Sequence, residues 1–327
     1  MGPSDRIGQD AQPSVDNRGV GGGSSRPEAI KAIPIRHWGR WIAAGVIIFL
    51  AFLLAFSFVR NPHVEWQTIW HYLFSDLVLR GVAVTLELTV ISMVIGAVGG
   101  TVLAVMRLSK NYVLSGVSWF YIWFFRGTPV YVQILLWGNF AILYPRLFLG
   151  LPFVNVVFAS VDSNKAISIF VASILALGLN EAAYAAELVR AGIISVEKGQ
   201  NEAAESLGMS PGLTMRRIIL PQAMRVIIPP MGNETISMLK TTSLVAVISG
   251  HELMSNITIS YSQNFKIFPL LLVACIWYIF FTTLLTIGQH YLEAYFGKGF
   301  GDKEAAAAEK RAMKRLQRKT GVDPGVF

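Results

Sequence analysis

Among ionisable side chains inside stretches apolar enough to lie in hydrocarbon, three stand out: Glu181, Glu234 and Lys240. A charge within a membrane span is costly, so it faces a partner or a water-filled path. The first sits in Leu179-Asn180-Glu181-Ala182-Ala183-Tyr184. The other two lie in Gly232-Asn233-Glu234-Thr235-Ile236-Ser237-Met238-Leu239-Lys240-Thr241-Thr242. Such groups can bind a zwitterion reversibly: Glu181 or Glu234 takes the ammonium, and Lys240 or helix-end amides take the carboxylate. The same groups can instead form an interhelical ion pair, Lys240 with Glu181 or Glu234, that locks the bundle. Thr241 follows Glu234 by seven residues and shares its helix face, while Lys240 points about a third of a turn away. Pro229 and Pro230, just upstream, are expected to kink or irregularly start this helix, freeing backbone groups that need polar partners. Asn180, Glu181, Glu234, Lys240 and Thr241 are therefore the candidate pathway residues. Glu187 and Arg190, three residues apart, read as a local helix pair.

Covalent chemistry finds no support. There is no G-x-x-x-x-G-K-[ST] phosphate loop. His37, His63, His71, His251 and His290 are scattered without metal-site spacing. The single cysteine, Cys275, excludes an internal disulfide and reads as a small buried hydrophobe.

A second feature is polar: Glu202–Pro221, EAAESLGMSPGLTMRRIILP. Glu202-Ala203-Ala204 favour a helix, and Leu207 closes an apolar stripe begun by Ala203. Gly208 falls where a left-handed C-terminal cap is wanted, Ser210 where an N-cap is wanted, and Pro211 at the first helical position. A second short helix carries Met215, Ile218 and Ile219 on one side and is expected to end at Leu220-Pro221. The product is a helix–turn–helix bent at glycine. Its pattern resembles the EAA signature of ABC importer permeases, with Glu202, Ala203, Ala204, Gly208, Ile218, Leu220 and Pro221 all matching. Phe125-Arg126-Gly127-Thr128-Pro129 is similar to the polar amino-acid uptake branch of that family.

The resemblance covers about residues 79–296. It implies a permease subunit of a type I ABC importer for polar amino acids. It further implies partners: a dimer of ABC ATPase subunits, a second permease copy or paralogue, and an extracytoplasmic amino-acid-binding protein. In that family the EAA loop docks in a groove of the ATPase. The matching residues would then make the contact, with Gly208 setting the bend and Leu220-Pro221 redirecting the chain. This chain would carry no cofactor, ATP and Mg²⁺ belonging to the ATPase, and it would be a transport subunit rather than an enzyme.

The elements that must position these residues are membrane helices. Of 327 residues, 53% are hydrophobic and only 15% charged, well below the roughly one quarter usual in soluble domains. The expected fold is an all-α membrane protein of six transmembrane helices, one N-terminal and five forming the importer core. The spans fall at about 41–59, 82–106, 130–147, 166–188, 226–248 and 267–291, with a coupling loop over 190–225. Residues 1–40 read as a disordered tail, Gly/Pro/Ser-rich and unable to form a core. Residues 297–327 read as a basic tail, helical in its Ala/Glu-rich part and lying near anionic headgroups. Trp66, Trp70 and Tyr72 suit an interfacial belt. Gly96, Gly99 and Gly100 put small residues on one face for close helix approach. The aromatic run Val117–Phe125 is expected along the inner membrane surface, Phe148–Lys165 as an outer connection, and His251–Lys266 outside.

Charge tests this topology. With both termini inside, 22 Lys and Arg fall on the inner side and 5 on the outer, as the positive-inside rule requires. The excess, net +8, is thus a topology signal rather than a nucleic-acid surface. Placement is expected in a bacterial inner membrane, multi-pass. Two other classes remain open: an ion-coupled secondary transporter using Glu181, Glu234 and Lys240, and a membrane-anchored interaction protein. Neither explains the spaced signature.

Overall fold

The structure, a computed structural model, describes residues 38–151 and 156–297. The expected N-terminal tail, up to residue 37, and the basic C-terminal tail from residue 298 lie outside the described residues. The chain divides into two units, Met1–Val59 and Arg60–Phe327. The first contributes α1 (Trp38–Arg60), whose mean hydropathy of 2.8 and 23 residues suffice to cross a bilayer.

The second unit holds everything else. A short amphipathic α2 (Trp66–Leu73) precedes α3 (Asp76–Leu108). Then come α4 (Tyr112–Gly127), α5 (Val130–Gly138) and the single turn α6 (Phe140–Leu143). Strands β1 (Arg146–Leu151) and β2 (Val156–Asp162) pair antiparallel, with Arg146 opposite Asp162, so the expected plain connection contains a hairpin. After the turn α7 (Ser163–Ala166) runs α8 (Ile169–Ile194), then α9 (Lys198–Ser206), α10 (Pro211–Thr214), α11 (Leu220–Thr241), α12 (Leu253–Asn264) and α13 (Ile267–Gly297). Together with α1, the helices α3, α8 and α13 are long and apolar enough to cross a membrane.

The core of this unit is the α3–α8 pair. A Cβ on Gly100 would lie 2.5 Å from Ala185 Cβ and 2.8 Å from Ala186 N, so only glycine permits this approach. Gly99 faces Ala182, and Gly96 faces Glu181. The glycine face read from the sequence is thus spent on α8. The two helices run in the same direction, which places the ends of α3 and α8 nearest the 195–219 insert together. At the opposite end α12 seals α3 against α13. There Leu253 N–H donates to Thr85 Oγ1 (3.1 Å) and Asn256 Nδ2 to Leu77 O (2.9 Å).

Four expectations are corrected. The aromatic segment does not lie along a surface. Ser118 Oγ donates to Leu103 O (2.7 Å) and Tyr121 OH to Leu179 O (2.8 Å), so α4 climbs along α3 and α8 to the depth of Glu181. The continuous helix expected over 130–147 is not formed. The path is instead α4, a break at Gly127-Thr128-Pro129, and the nine-residue α5, about 14 Å long, whose Ile134 packs with Leu88 and Leu177. Of the two outcomes expected at the proline pair, a kink or an irregular start, the start is excluded, since the helix begins earlier, at Leu220. Pro229 and Pro230 lie inside α11, each removing one backbone donor from its ladder. Cys275 is exposed, because the buried face of α13 runs through Leu270, Val273 and Ala274 and leaves it outside.

Candidate functional site

A cavity of ≈ 410 Å³ opens between the α4–α5 break, the middle of α8 and the second half of α11. The break exists because Pro129 cannot donate and forces Thr128, at ψ 138°, into extended backbone. Two helix-end carbonyls are thereby exposed to an apolar environment and need donors. Gln133 Nε2 supplies them, to Phe125 O (3.0 Å) and Thr128 O (3.1 Å). Asn180 Nδ2 adds a second bond to Phe125 O (3.0 Å) and one to Gln133 Oε1 (3.3 Å). Asn180 therefore lines the cavity but spends its amide holding the break shut.

On α8, Glu181 and Tyr184 follow at helix-face spacing. Glu181 is 4% exposed, and its Oε1 has no hydrogen-bond partner among the described residues. A Cβ on Gly96 would lie 2.3 Å from Glu181 Cγ, so this glycine makes the room in which the carboxylate stands. On α11, Glu234, Ser237 and Thr241 face the cavity at spacings of three and four. Thr241 Oγ1 donates to Ser237 O (2.9 Å), leaving its lone pairs toward other donors.

Lys240 is exposed and outside the cavity lining, one residue round the helix from Thr241. Among the described residues it forms no ion pair with Glu181 or Glu234, so the interhelical lock, the alternative to a pathway role, is not formed. The cation that shares the cavity is Arg126, whose guanidinium carbon lies 5.1 Å from the ring centre of Tyr184. Arg126 was read as an inner-side charge and, with Thr128, as part of the segment similar to the amino-acid uptake branch, and neither it nor Thr128 nor Tyr184 was named as a pathway residue. Its signal was an arginine set between a run of aromatic residues and a Gly-x-Pro break. Geometry thus brings together two carboxylates, one guanidinium and several hydroxyls, a set able to hold a charged zwitterion without covalent chemistry.

The insert is a separate constellation. Gly208 takes φ +72°, and the turn is closed by Gly208 N–H to Glu205 O (2.9 Å) and Met209 N–H to Ala204 O (3.0 Å). These two bonds define a Schellman cap. Ala204 is buried at 3% exposure, whereas Glu202, Ala203 and Gly208 are exposed. Leu207, expected to close an inward stripe, is instead 81% exposed at the tip. Ser210 occupies the N-cap position, but its hydroxyl makes no capping bond. The second helix does not stop at Leu220-Pro221. A π-turn over Met215–Ile219, with Leu220 N–H bonding to Met215 O, carries α10 straight into α11. Pro221 fits there because it falls in the first turn of α11. Ile218 is half-buried, and Leu220 and Pro221 are exposed.

Membrane-length helices, a polar cavity among them and a helical insert at one end are the parts of a transporter's membrane component. Residues 96–297 match the family of binding-protein-dependent transport system inner membrane components, and the chain belongs to it, as an amino-acid ABC transporter permease subunit of the type I importer fold. Over 286 residues it is 48% identical to the arginine transport system permease protein ArgU of Corynebacterium glutamicum, covering 86% of this chain and 88% of that one. It is 33% identical to the probable amino-acid ABC transporter permease protein YckA of Bacillus subtilis, covering 68% of this chain and 94% of that one. The crystal structure of an amino acid ABC transporter with histidines superposes with a TM-score of 0.56 at 34% identity, covering 67% of this chain and 94% of that one. The chain is accordingly a multi-pass membrane protein.

Proposed function

We propose that this permease carries an amino acid with a cationic side chain through the Glu181–Glu234 cavity, in an importer powered by a separate ATPase. The observation that carries the reading is Glu181, a buried carboxylate with an unpartnered oxygen, facing a cavity that also holds Glu234 and Arg126. Arg126 suits the substrate carboxylate, one glutamate its α-ammonium, and the other a side-chain cation. The relative named as an arginine permease agrees with that surplus of negative charge. Energy would enter at the insert: Glu202, Ala203 and the exposed Leu207 present a contact face to an ATPase subunit. The π-turn and unbroken helical run from Pro211 to Thr241 offer a stiff lever from that contact to Glu234. The remaining partners would be a second permease and an extracytoplasmic binding protein, with the insert and both termini on the cytoplasmic side and ATP and Mg²⁺ held by the ATPase. An ion-coupled carrier is the poorer reading, since Lys240 stands outside the cavity.

The test is uptake of a panel of labelled amino acids by the reconstituted complex, with and without ATP. L-Arginine uptake should require ATP and survive collapse of ion gradients. Glu181→Gln should weaken it roughly tenfold or more, as expected when a charged hydrogen bond of about 1.5–3 kcal/mol is lost. Unchanged uptake by Glu181→Gln would remove the carboxylate from the pathway.

A further inference from the structure

A second cavity, of ≈ 570 Å³, lies one helical turn closer to the insert. It shares Arg126, Gly127 and Tyr184 with the first, so these residues form the wall between the two. Beyond that wall stand Arg107, from the last turn of α3, and Glu187 and Arg190, from the last turns of α8. Asn180, Glu181, Tyr184, Glu187 and Arg190 are spaced by three or four around their neighbours and make one continuous polar stripe down α8. From Glu181 to Glu187 is about 9 Å along the helix axis, close to the length of one amino acid.

The Glu187–Arg190 pair is not a closed unit. Arg190 Nε (3.0 Å) and Nη2 (2.6 Å) both bond to Glu187 Oε2, which leaves Glu187 Oε1 and Arg190 Nη1 without partners among the described residues. Both side chains are partly exposed, at 24% and 35%. An ammonium and a carboxylate on the same small molecule match the two vacant groups. Arg107 is held by a bond from Nη1 to Ser115 Oγ (2.9 Å) and adds a further positive charge to the same wall.

We infer that the second cavity is a release station for the transported amino acid: the substrate passes between Arg126 and Tyr184 and is held in transit by Glu187 and Arg190. This rests on the pathway reading above, and it gives the local helix pair a role beyond supporting α8. Substrate leaving Glu181 then meets, beyond Tyr184, the opposite charges of Glu187 and Arg190, in a cavity whose other two charges, Arg107 and Arg126, are positive.

The experiment uses the assembled complex in neutral-lipid nanodiscs without nucleotide. Cys275→Ala removes the native thiol, and Trp119→Cys places a reporter on the rim of the second cavity. The rate of its modification by a cationic methanethiosulfonate reagent is measured with and without L-arginine. L-Arginine should slow modification about tenfold in the parent. The slowing should persist when Glu181→Gln is added and disappear with Glu187→Gln, a substitution that keeps the side chain's shape. No slowing in the parent, or slowing that survives Glu187→Gln, overturns the station. Slowing lost with Glu181→Gln also overturns it, because protection would then be transmitted from the first cavity. Failure of the pathway reading is seen separately, as uptake indifferent to Glu181→Gln.

Discussion

Gly208 offers a test of the insert in which backbone conformation can be separated from space. Its φ is +72°, and a Cβ built there meets no heavy atom within 4 Å among the described residues. Alanine there therefore meets the left-handed geometry alone, which costs an L-residue about 1–2 kcal/mol. On that basis Gly208→Ala should disfavour the turned-back insert by about 1–2 kcal/mol, a factor of roughly 5–30 in its equilibrium constant. If only the turned-back form docks, the apparent affinity for the ATPase falls by up to the same factor. Gly208→Val should be worse, since a β-branched residue at positive φ is a genuine outlier. Gly208→Asn should be milder, because asparagine visits this region with local hydrogen bonding.

The assay is the affinity of the ATPase subunits for the permease in nanodiscs, followed by amino acid taken up per ATP hydrolysed. The expected order is Gly, Asn, Ala, Val. If the partner instead crowds this position, the order follows size and Ala outperforms Asn. A Gly208→Val complex that assembles and couples like wild type would refute the claim that this bend matters to coupling.

Two further outcomes follow from packing and charge. Gly100→Ala must push α3 from α8 backbone, an overpacking cost of about 1–3 kcal/mol against a helix-propensity gain of about 0.8–1 kcal/mol. Its thermal midpoint should fall by several degrees, at about 2–4 °C per kcal/mol. Gly99→Ala, which meets only Ala182 Cβ at 3.1 Å, should melt near or above wild type, and equal shifts for the two would contradict the asymmetry of the interface. Glu65 is held below the ordinary carboxylate range, first by its hydrogen bond with Lys266 Nζ (2.7 Å) and next by Thr68. A depressed folded value means the tie stabilises the folded state above the ordinary range and is lost as pH falls through the lowered value. Amide exchange around Glu65 and Lys266 should therefore accelerate beyond its intrinsic rate only below about pH 4, and Glu65→Gln should abolish the step.

The parts of this molecule that were legible in the sequence are those whose signal is local. Gly208 at positive φ follows from a helix that must stop and turn back, and the α3 glycines follow from a helix needing a close neighbour. The shared face of Glu234 and Thr241 follows from helical geometry alone, whereas Lys240, also expected on the pathway, lies outside the cavity lining. What escaped was the path of α4 and α5. The run Val117–Phe125, rich in Trp, Phe and Tyr, looks interfacial because aromatic rings favour headgroups. The contacts that draw them inward, Ser118 with Leu103 and Tyr121 with Leu179, join residues 15 and 58 positions apart. Arg126 was misassigned for the same reason, since its position is inherited from where α4 goes. The break that follows it depends on Gln133 and Asn180, two amides whose roles exist only once α5 and α8 are side by side. Charge counting placed Arg126 with the flanking cations, whereas three-dimensional packing makes it the cavity's own cation. The cavity is therefore a product of one irregular turn, and the irregular turn is the feature that periodicity, which detects regular elements, is least able to see.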